Sequence, residues 1–159
     1  DAIRVLLRER PDVQVVLAGT GVHRANPQFA GLMQDLRPDQ VLTLGERDDI
    51  ECLMPALDVL CLSSAWGEAF PNVLGEAMVC GVPCVTTNVG DAARIVEYTG
   101  WVREPGDPDQ LAQALDQVLA LPRAEHDRLG EKARHSIQDR FSLGAIVLQY
   151  AAIYARVAS

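Results

Sequence analysis

Short apolar segments alternate with helical segments from the amino terminus to about residue 120. Each apolar segment is rich in Val, Leu, Cys or Thr and is followed by a turn or by a helix-opening residue. Runs of this kind, separated by helical patterns, are typical of strands that are buried on both faces. The pattern therefore predicts an α/β fold with a doubly wound parallel sheet and helices on both faces. The predicted strands are residues 13–18, 41–45, 59–62, 83–87 and 100–102.

The predicted helices cover about residues 1–10, 27–37, 49–57, 72–79 and 92–96. A further helix to about Leu121 has the clearest boundary, because Asp107-Pro108-Asp109-Gln110 supplies an N-cap, a first-position Pro and a capping Gln. From Arg123 onward the chain is predicted to be helical, with an interruption at 141–144 and a tail helix over 142–159. The tail has apolar residues whose exposure would favour self-association. Residues 1–159 are thus predicted to form one domain with a helical C-terminal tail.

The composition limits the classes of partner. A net charge of -8 disfavours nucleic acid, because binding to a phosphate backbone depends on Lys and Arg. No run approaches the roughly 18 apolar residues of a membrane span. The four cysteines include no Cys-x-x-Cys pair and have no His at zinc spacing, so we expect buried thiols in a reducing compartment and no metal. They are Cys52, Cys61, Cys80 and Cys84.

The first ten residues form an amphipathic helical pattern rather than the continuous apolar core of a secretory signal. Position 1 is Asp1 rather than Met, so we expect the chain to be cut from a longer protein.

Ligands of doubly wound sheets bind beyond the carboxyl ends of the strands, which directs attention to the loops that follow Ala18, Leu44, Leu62 and Thr87. The loop that begins at Gly19-Thr20-Gly21 partly matches a dinucleotide-binding fingerprint. It lacks the third Gly, and no acidic residue ends the next strand, so a nicotinamide-cofactor site is not predicted. A tight turn that lies beside a nucleotide base remains compatible with this loop.

The segment 63–78 runs from a strand end into a helix that opens at Pro71-Asn72. The backbone amides of Asn72, Val73 and Leu74 are expected to point outward at the positive end of the helix dipole, where a diphosphate could bind. Glu76, one turn into the helix, could accept hydrogen bonds from ribose hydroxyls, and Glu68 could contact a sugar. On spacing alone, a helix-dipole role for Glu76 and a solvated Glu68 remain the more economical interpretation.

The run from Glu68 to Met78, with two Glu separated by seven residues, resembles the signature of retaining glycosyltransferases of family 4, in the glycosyl transferases group 1. The likeness continues in the same order before and after this run. The matching segments include residues 19–21, 44–47, 56–60, 81–90 and 105–108. The resemblance implies a Rossmann-like domain, the second domain of a GT-B fold, which binds the nucleotide-sugar donor.

The resemblance also assigns residue roles. It implies that Glu68 is catalytic and meets the transferred hexosyl unit, and that Glu76 binds the ribose of a UDP- or GDP-linked sugar. The backbone from Phe70 through Pro71, Asn72, Val73 and Leu74 would contact sugar and diphosphate, while Gly19 and Arg47 would lie near the base. The acceptor would be a glycan or a lipid-linked sugar. No metal or other cofactor is expected, and the expected location is cytoplasmic, with the parent peripheral at the inner membrane face.

Two departures from the family pattern limit this interpretation. The family begins this domain with a strand and a loop bearing an Arg and a Lys that clamp the diphosphate, and this chain starts after that point. The N-terminal domain, an expected partner that forms the acceptor site, is also absent, so we expect the isolated chain to be inactive. The segment 91–99 is compact, which would reshape one edge of the pocket. The alternatives are a non-catalytic GT-B-like binding module and a sugar-nucleotide epimerase-like domain.

Overall fold

The computed structural model describes residues 1–157, in which five short strands alternate with helices as predicted. The strands are β1 (Val15–Ala18), β2 (Val41–Gly45), β3 (Leu60–Leu62), β4 (Cys84–Thr87) and β5 (Trp101–Arg103). The helices are α1 (Ala2–Glu9), α2 (Pro27–Met33), α3 (Ile50–Leu53), α4 (Asn72–Val79), α5 (Ala92–Val96), α6 (Pro108–Leu119), α7 (Arg123–Phe141) and α8 (Leu143–Val157). None of the helices in this range is both long and apolar enough to cross a bilayer.

Two predicted helices are shorter than expected, and a proline accounts for one of them. The helix predicted over 27–37 ends at Met33, and turns follow it before Pro38. The helix predicted over 49–57 stops at Leu53 and continues as a single 3-10 turn, Met54–Ala56, that contains Pro55. Proline has no amide hydrogen to donate to the turn before it, so the α-helical pattern cannot continue.

The strands are parallel, as predicted, but they form two ladders instead of one continuous sheet. β1 pairs with β2, and β4 lies between β3 and β5. Between β1 and β3 lies a cavity of about 930 Å³. The fold is therefore α/β with helices on both sides, in which the sheet is divided at its middle.

β4 is the centre of the larger ladder, and all four of its residues are buried. Cys84 packs on one face, in a cluster with Leu74 and Met78 of α4 and Ile95 of α5. The neighbouring Val85 packs on the opposite face, in a cluster with α6 and α1. Because successive strand residues point to opposite faces, these two clusters demonstrate that helices cover both sides.

Helix α4 packs antiparallel along α7. Gly75 faces Ile137, and a Cβ at position 75 would make an ordinary van der Waals contact of 3.5 Å with the Ile137 Cδ1 atom. Further along, Gly130 lies so close to the Gly81 carbonyl that a Cβ on Gly130 would overlap it. The Arg134 Nε atom donates to the Val79 carbonyl oxygen at 2.8 Å, at the negative end of the α4 dipole.

The predicted start of α6 is confirmed. The Asp107 carboxylate accepts from the Gln110 amide at 2.9 Å and from the Gln110 side chain at 2.7 Å. The tail helix begins at Leu143, where the Ser142 hydroxyl accepts from the Ala145 amide, and it is described to Val157. No residue of this described helix is buried, and most of its large apolar side chains are exposed, with Ile146 half-buried. The prediction for residues 158–159 lies outside the described range.

The prediction that all four cysteine thiols are buried is wrong for two of them. Cys84 is buried in β4, and burial raises the pKa of its thiol to about 12. Cys52 and Cys61 are exposed, and Cys80 is half-buried. Cys61 lines the cavity, where solvent reaches it although protein surrounds it, and this desolvation raises its pKa to about 11. Its apolar strand pattern predicted burial because the division of the sheet is not visible in the sequence.

Gly130→Ala is expected to separate α7 from α4, because the added methyl group meets the rigid Gly81 carbonyl. We expect a loss of about 2 kcal/mol in the free energy of unfolding, measured by urea denaturation. Gly31→Ala is the matched control, since nothing lies within 4 Å of a Cβ at that helical position. It should be neutral or stabilise by about 0.5 kcal/mol. Equal losses in the two variants would contradict the close helix contact.

Candidate functional site

Glu68 lies in the loop between β3 and α4 and is held by a chain of hydrogen bonds that starts in β4. The Thr87 hydroxyl donates to the Ser64 carbonyl oxygen at 2.6 Å. The Ser64 hydroxyl in turn donates to the Glu68 Oε1 atom at 2.6 Å. Glu68 is half-buried, so one carboxylate oxygen is oriented by Ser64 while the group remains accessible. The neighbouring Trp66 is 83% exposed, which places it at the rim rather than in the core.

The loop after β4 packs against the same segment. The Asp91 amide donates to the Ala69 carbonyl oxygen at 2.8 Å. Gly90 has φ of 57° and lies so close that a Cβ there would overlap the carbonyl oxygens of Glu68 and Ala69. Position 90 therefore requires glycine twice over, for its left-handed backbone and for the close approach. The compact segment 91–99 supports the Glu68 loop from this side.

Phe70 is positioned by the end of α7. Its ring meets Phe141 edge-on, with the ring centroids 5.3 Å apart. The Arg140 guanidinium lies 4.8 Å from the Phe141 centroid and donates to the Glu97 carboxylate at 2.8 Å. It also donates to the Arg94 carbonyl oxygen, so that a single arginine joins α7 to the end of α5. These contacts hold the Phe70 ring against the end of α7, and Phe70 as a whole residue is 38% exposed.

The amino terminus of α4 is capped by Pro71, which is buried and provides no side-chain hydrogen bond. The backbone amides of Asn72 and Val73 have no carbonyl group within the helix to donate to, and they face outward. The predicted third free amide is not free, because Leu74 donates to the Pro71 carbonyl at 3.2 Å and its side chain is fully buried. Two amides, rather than three, are therefore available to an anion.

Asn72 and Glu76 are both exposed and lie four residues apart, on the same face of α4. Val73 and Leu74 turn inward and pack with the core. Glu76 makes no side-chain hydrogen bond with any residue in the range 1–157, so its carboxylate can accept hydrogen bonds from a ligand. The outer face of the first helical turn thus combines an amide side chain, a carboxylate and free backbone amides.

Gly19 and Arg47 follow the other two strands, β1 and β2. The Gly19 amide donates to the Gly45 carbonyl at 2.7 Å, and the Gly45 amide donates to the Val22 carbonyl at 3.1 Å, so the two loops are tied together. Arg47 forms a two-point contact with Asp49, with Nε donating at 2.7 Å. This pairing raises the pKa of Arg47 and lowers the pKa of Asp49.

The structure therefore brings the predicted residues together as two groups. Glu68, Phe70 and the α4 terminus form one group at the ends of β3 and β4, and Gly19 and Arg47 form the other at the ends of β1 and β2. Within residues 1–157, no hydrogen bond between the two groups is found. The large cavity reaches the strand ends at Ser63 and Thr87, but Glu68 and Glu76 do not line it.

Four residues that hold the site were not predicted as site residues: Ser64, Thr87, Gly90 and Phe141. Ser64 and Thr87 are polar residues near the ends of adjacent strands, which is only a weak sequence signal that they belong to the site. Gly90 lies in the segment 81–90 that resembles the family. For Phe141 the sequence offers no local signal, because its partner Phe70 is distant along the chain. Among the described residues there is no group of three or more His, Cys, Asp or Glu that could hold a metal ion.

The family model described as glycosyl transferases group 1 matches residues 1–120. This chain belongs to that family. One relative, the N-acetyl-alpha-D-glucosaminyl L-malate synthase of Bacillus anthracis, is 36% identical over 151 residues, which are 90% of this chain and 37% of the relative. The chain thus spans less than half the length of this curated relative.

Solved structures share this fold. The Anabaena protein HepE, in complex with UDP, matches 98% of this chain and 44% of its own, with a TM-score of 0.83 and 26% identity. The C-terminal domain of a glycosyl transferase group 1 protein from Francisella tularensis matches 89% of this chain and 76% of its own, with a TM-score of 0.74 and 20% identity. The latter similarity concerns the fold alone. The group 1 chain described here thus has the α/β architecture of a GT-B C-terminal domain.

Gly90→Ala is expected to displace the Glu68 loop of this group 1 family domain, because the methyl group meets two backbone carbonyls. We expect a loss of about 3 kcal/mol in unfolding free energy, together with a shift in the emission of the exposed Trp66. Gly106→Ala is the matched control, since it has φ of 84° but nothing within 4 Å of a Cβ. The control should lose about 1 kcal/mol from the backbone alone. If both variants lost the same amount, the close approach would be refuted.

Proposed function

We propose that this chain is the donor-binding half of a retaining glycosyltransferase, which transfers a hexosyl unit from a UDP- or GDP-linked sugar to a glycan or a lipid-linked acceptor. The observation that supports this most is the accessible, hydrogen-bonded Glu68 directly before the free amino terminus of α4, in a chain of the group 1 family. The complexes of the related HepE protein with UDP and with UDP-glucose support a nucleotide-sugar ligand.

The diphosphate is proposed to bind at the start of α4. The amides of Asn72 and Val73 and the helix dipole attract an anion there without any lysine. As the bond to the sugar breaks, negative charge grows on the diphosphate, so fixed amide donors stabilise the transition state more than the ground state. This stabilisation does not require a metal ion, and we propose that none takes part.

The two glutamates are proposed to recognise hydroxyl groups on opposite sides of the diphosphate. Glu76, one turn into α4, would accept hydrogen bonds from the vicinal hydroxyls of the ribose. Glu68, with Oε1 oriented by Ser64, would contact the transferred sugar and stabilise the positive charge that develops near its anomeric carbon. The ring of Phe70 and the backbone from Phe70 to Leu74 would form the wall between them.

The ends of β1 and β2 are proposed to hold the base, with Gly19 providing close backbone approach. Arg47 is paired with Asp49, so its guanidinium would contact a ligand and the Asp49 carboxylate at the same time. The parent's N-terminal domain is proposed to supply the acceptor wall, and a preceding Arg and Lys to supply the cationic clamp. We propose a cytoplasmic location, with the parent peripheral at the inner face of the membrane.

Glu76→Gln in the longer parent protein is expected to weaken the binding of UDP or GDP by about tenfold, because charged hydrogen bonds to the ribose become neutral ones. Calorimetric titration with each nucleotide measures the dissociation constant. Glu131→Gln, an exposed carboxylate on α7 beside the far end of α4, should leave binding within about twofold. Unchanged affinity in Glu76→Gln would refute the ribose assignment.

Glu68→Gln in the parent is expected to lower kcat by at least about a hundredfold with little change in nucleotide affinity, because the lost charge acts mainly in the transition state. Turnover of UDP- and GDP-sugars, with analysis of the anomeric configuration of the product, measures both the rate and the retention. The 159-residue chain alone should give no transfer. Transfer by this chain alone, or an inverted product, would contradict the proposal.

A further inference from the structure

Glu97, directly after α5, has a strained backbone. Its φ is 49° and its ψ is -123°. Among residues 1–157 it is the single residue other than glycine with a positive φ. Side chains disfavour this conformation, so it persists only where surrounding contacts hold the residue, and such strain is concentrated at functional sites. The contacts that Glu97 makes therefore indicate what the strain supports.

The Glu97 carboxylate is bound by Arg140, near the end of α7. The Arg140 Nη1 atom donates to Glu97 Oε2 at 2.8 Å. The same guanidinium donates to the carbonyl oxygens of Arg94 and Ile95, in the last turn of α5, where the helix dipole favours a cation. Only 27% of the Arg140 side chain is exposed. Because a guanidinium carries its donors in a flat, rigid fork, these acceptors fix its orientation as well as its position.

The oriented guanidinium holds an aromatic contact with the candidate site. Its central carbon lies 4.8 Å from the centroid of the Phe141 ring, and the Arg94 guanidinium lies 5.7 Å from the same centroid. A cation over an aromatic face is attracted by the electrons of the ring. Phe141 in turn meets Phe70 edge-on, and Phe70 follows Glu68 by two positions. The contacts of Glu97 thus reach the loop that carries the proposed catalytic carboxylate.

The same contacts do not reach the proposed ribose and diphosphate ligands on α4. In the described range, no hydrogen bond or ion pair joins Glu97 or Arg140 to α4. The axis of α4 depends on its own buried side chains, Leu74 and Met78. A loss of the contact between Glu97 and Arg140 should therefore affect the transferred sugar and leave the nucleotide in place.

We propose that Glu97 and Arg140 are positioning residues for the sugar-binding part of the donor site. Through Phe141 they fix the Phe70 ring and the loop that carries Glu68, while neither residue contacts the donor. The strain at position 97 holds the carboxylate where it orients Arg140. This inference rests on the proposed donor function and adds that the junction of α5 and α7 controls the rate of transfer rather than the affinity for the nucleotide.

Glu97→Gly separates positioning from stability. Glycine adopts a φ of 49° without strain, and a half-exposed ion pair contributes little to stability, so the melting temperature should be unchanged or higher. In the longer parent protein, kcat with UDP- or GDP-sugars should fall about tenfold, because small displacements at a reacting centre are costly in rate. The dissociation constants of UDP and GDP, measured by calorimetric titration, should stay within about twofold. A merely structural role would not lower kcat in a variant of undiminished stability.

Arg140→Lys keeps the positive charge but lacks the flat fork, so kcat in the parent should again fall about tenfold. The double variant with Glu97→Gly should lose little more than Arg140→Lys alone, because both changes act through one contact. In the 159-residue chain, the Asp91 amide, which donates to the Ala69 carbonyl beside Glu68, should exchange about fivefold faster in Arg140→Lys.

Asp127→Asn is the matched control. It removes a similarly exposed pair of carboxylate and arginine, Asp127 with Arg123 at 2.9 Å, from the other end of α7, and it should alter neither kcat nor exchange at Asp91. Unchanged kcat in Glu97→Gly and Arg140→Lys, beside a large loss in Glu68→Gln, would overturn this inference and leave the donor function intact. Losses of nucleotide affinity as large as the losses in kcat would also overturn it. Unchanged kcat in Glu68→Gln would refute the proposed function and this inference with it.

Discussion

The contact between α4 and α7 determines where the candidate site lies. At one end of the contact Gly130 and Gly81 allow the two backbones to approach, and Leu74 and Met78 are fully buried beneath it. Because the helices are antiparallel, α7 ends at the point where α4 begins, so Phe141 meets Phe70 beside Glu68. Helix α7 therefore fixes the axis of α4. Its Arg134 binds a carbonyl group at the C-terminal end of α4, and its Phe141 positions Phe70, which lies just before the amino terminus of α4. The direction of the α4 dipole, on which anion binding depends, follows from this packing.

Local patterns predicted the parts of the fold that depend on neighbours in sequence. The strand alternation, the Asp107 cap of α6 and the start of α4 at Asn72 all depend on residues within one turn or one strand, and all are confirmed. The residues that hold Glu68 and the neighbouring Phe70 in place could not be predicted in this way. Thr87 reaches Ser64 across 23 positions, and Phe141 reaches Phe70 only after α5 and α6 have been placed. The division of the sheet was missed for the same reason, since strand sequences do not specify which edges pair.

Electrostatics constrains how this domain can hold an anionic ligand. The chain has 22 acidic and 14 basic side chains, and the two proposed site glutamates add negative charge close to the proposed diphosphate. Such a site can function only if the carboxylates face hydroxyl groups while the amides of Asn72 and Val73 face the phosphates. The inward turn of Val73 and Leu74 and the outward turn of Glu76 on α4 agree with this separation. Arg47, in the loop after β2, is already paired with Asp49, so its charge is partly neutralised before any ligand binds.

The relative placement of the two residue groups depends on α1. Gly19 and Arg47 are attached to the smaller ladder and Glu68 to the larger one, and no strand pairing joins the ladders within residues 1–157. Leu6 and Leu7, adjacent in α1, pack with different clusters, one beside each ladder. Apolar packing is not directional. Directed contacts accompany it on both sides of α1, since Arg4 donates to the Leu32 carbonyl oxygen at 2.7 Å and Arg10 donates to the Asp116 carboxylate at 3.0 Å. A ligand that spans from Gly19 to Glu68 requires a spacing correct to a fraction of an ångström. The geometry of the proposed site therefore depends on how α1 packs against both ladders, although no residue of α1 is a proposed ligand contact.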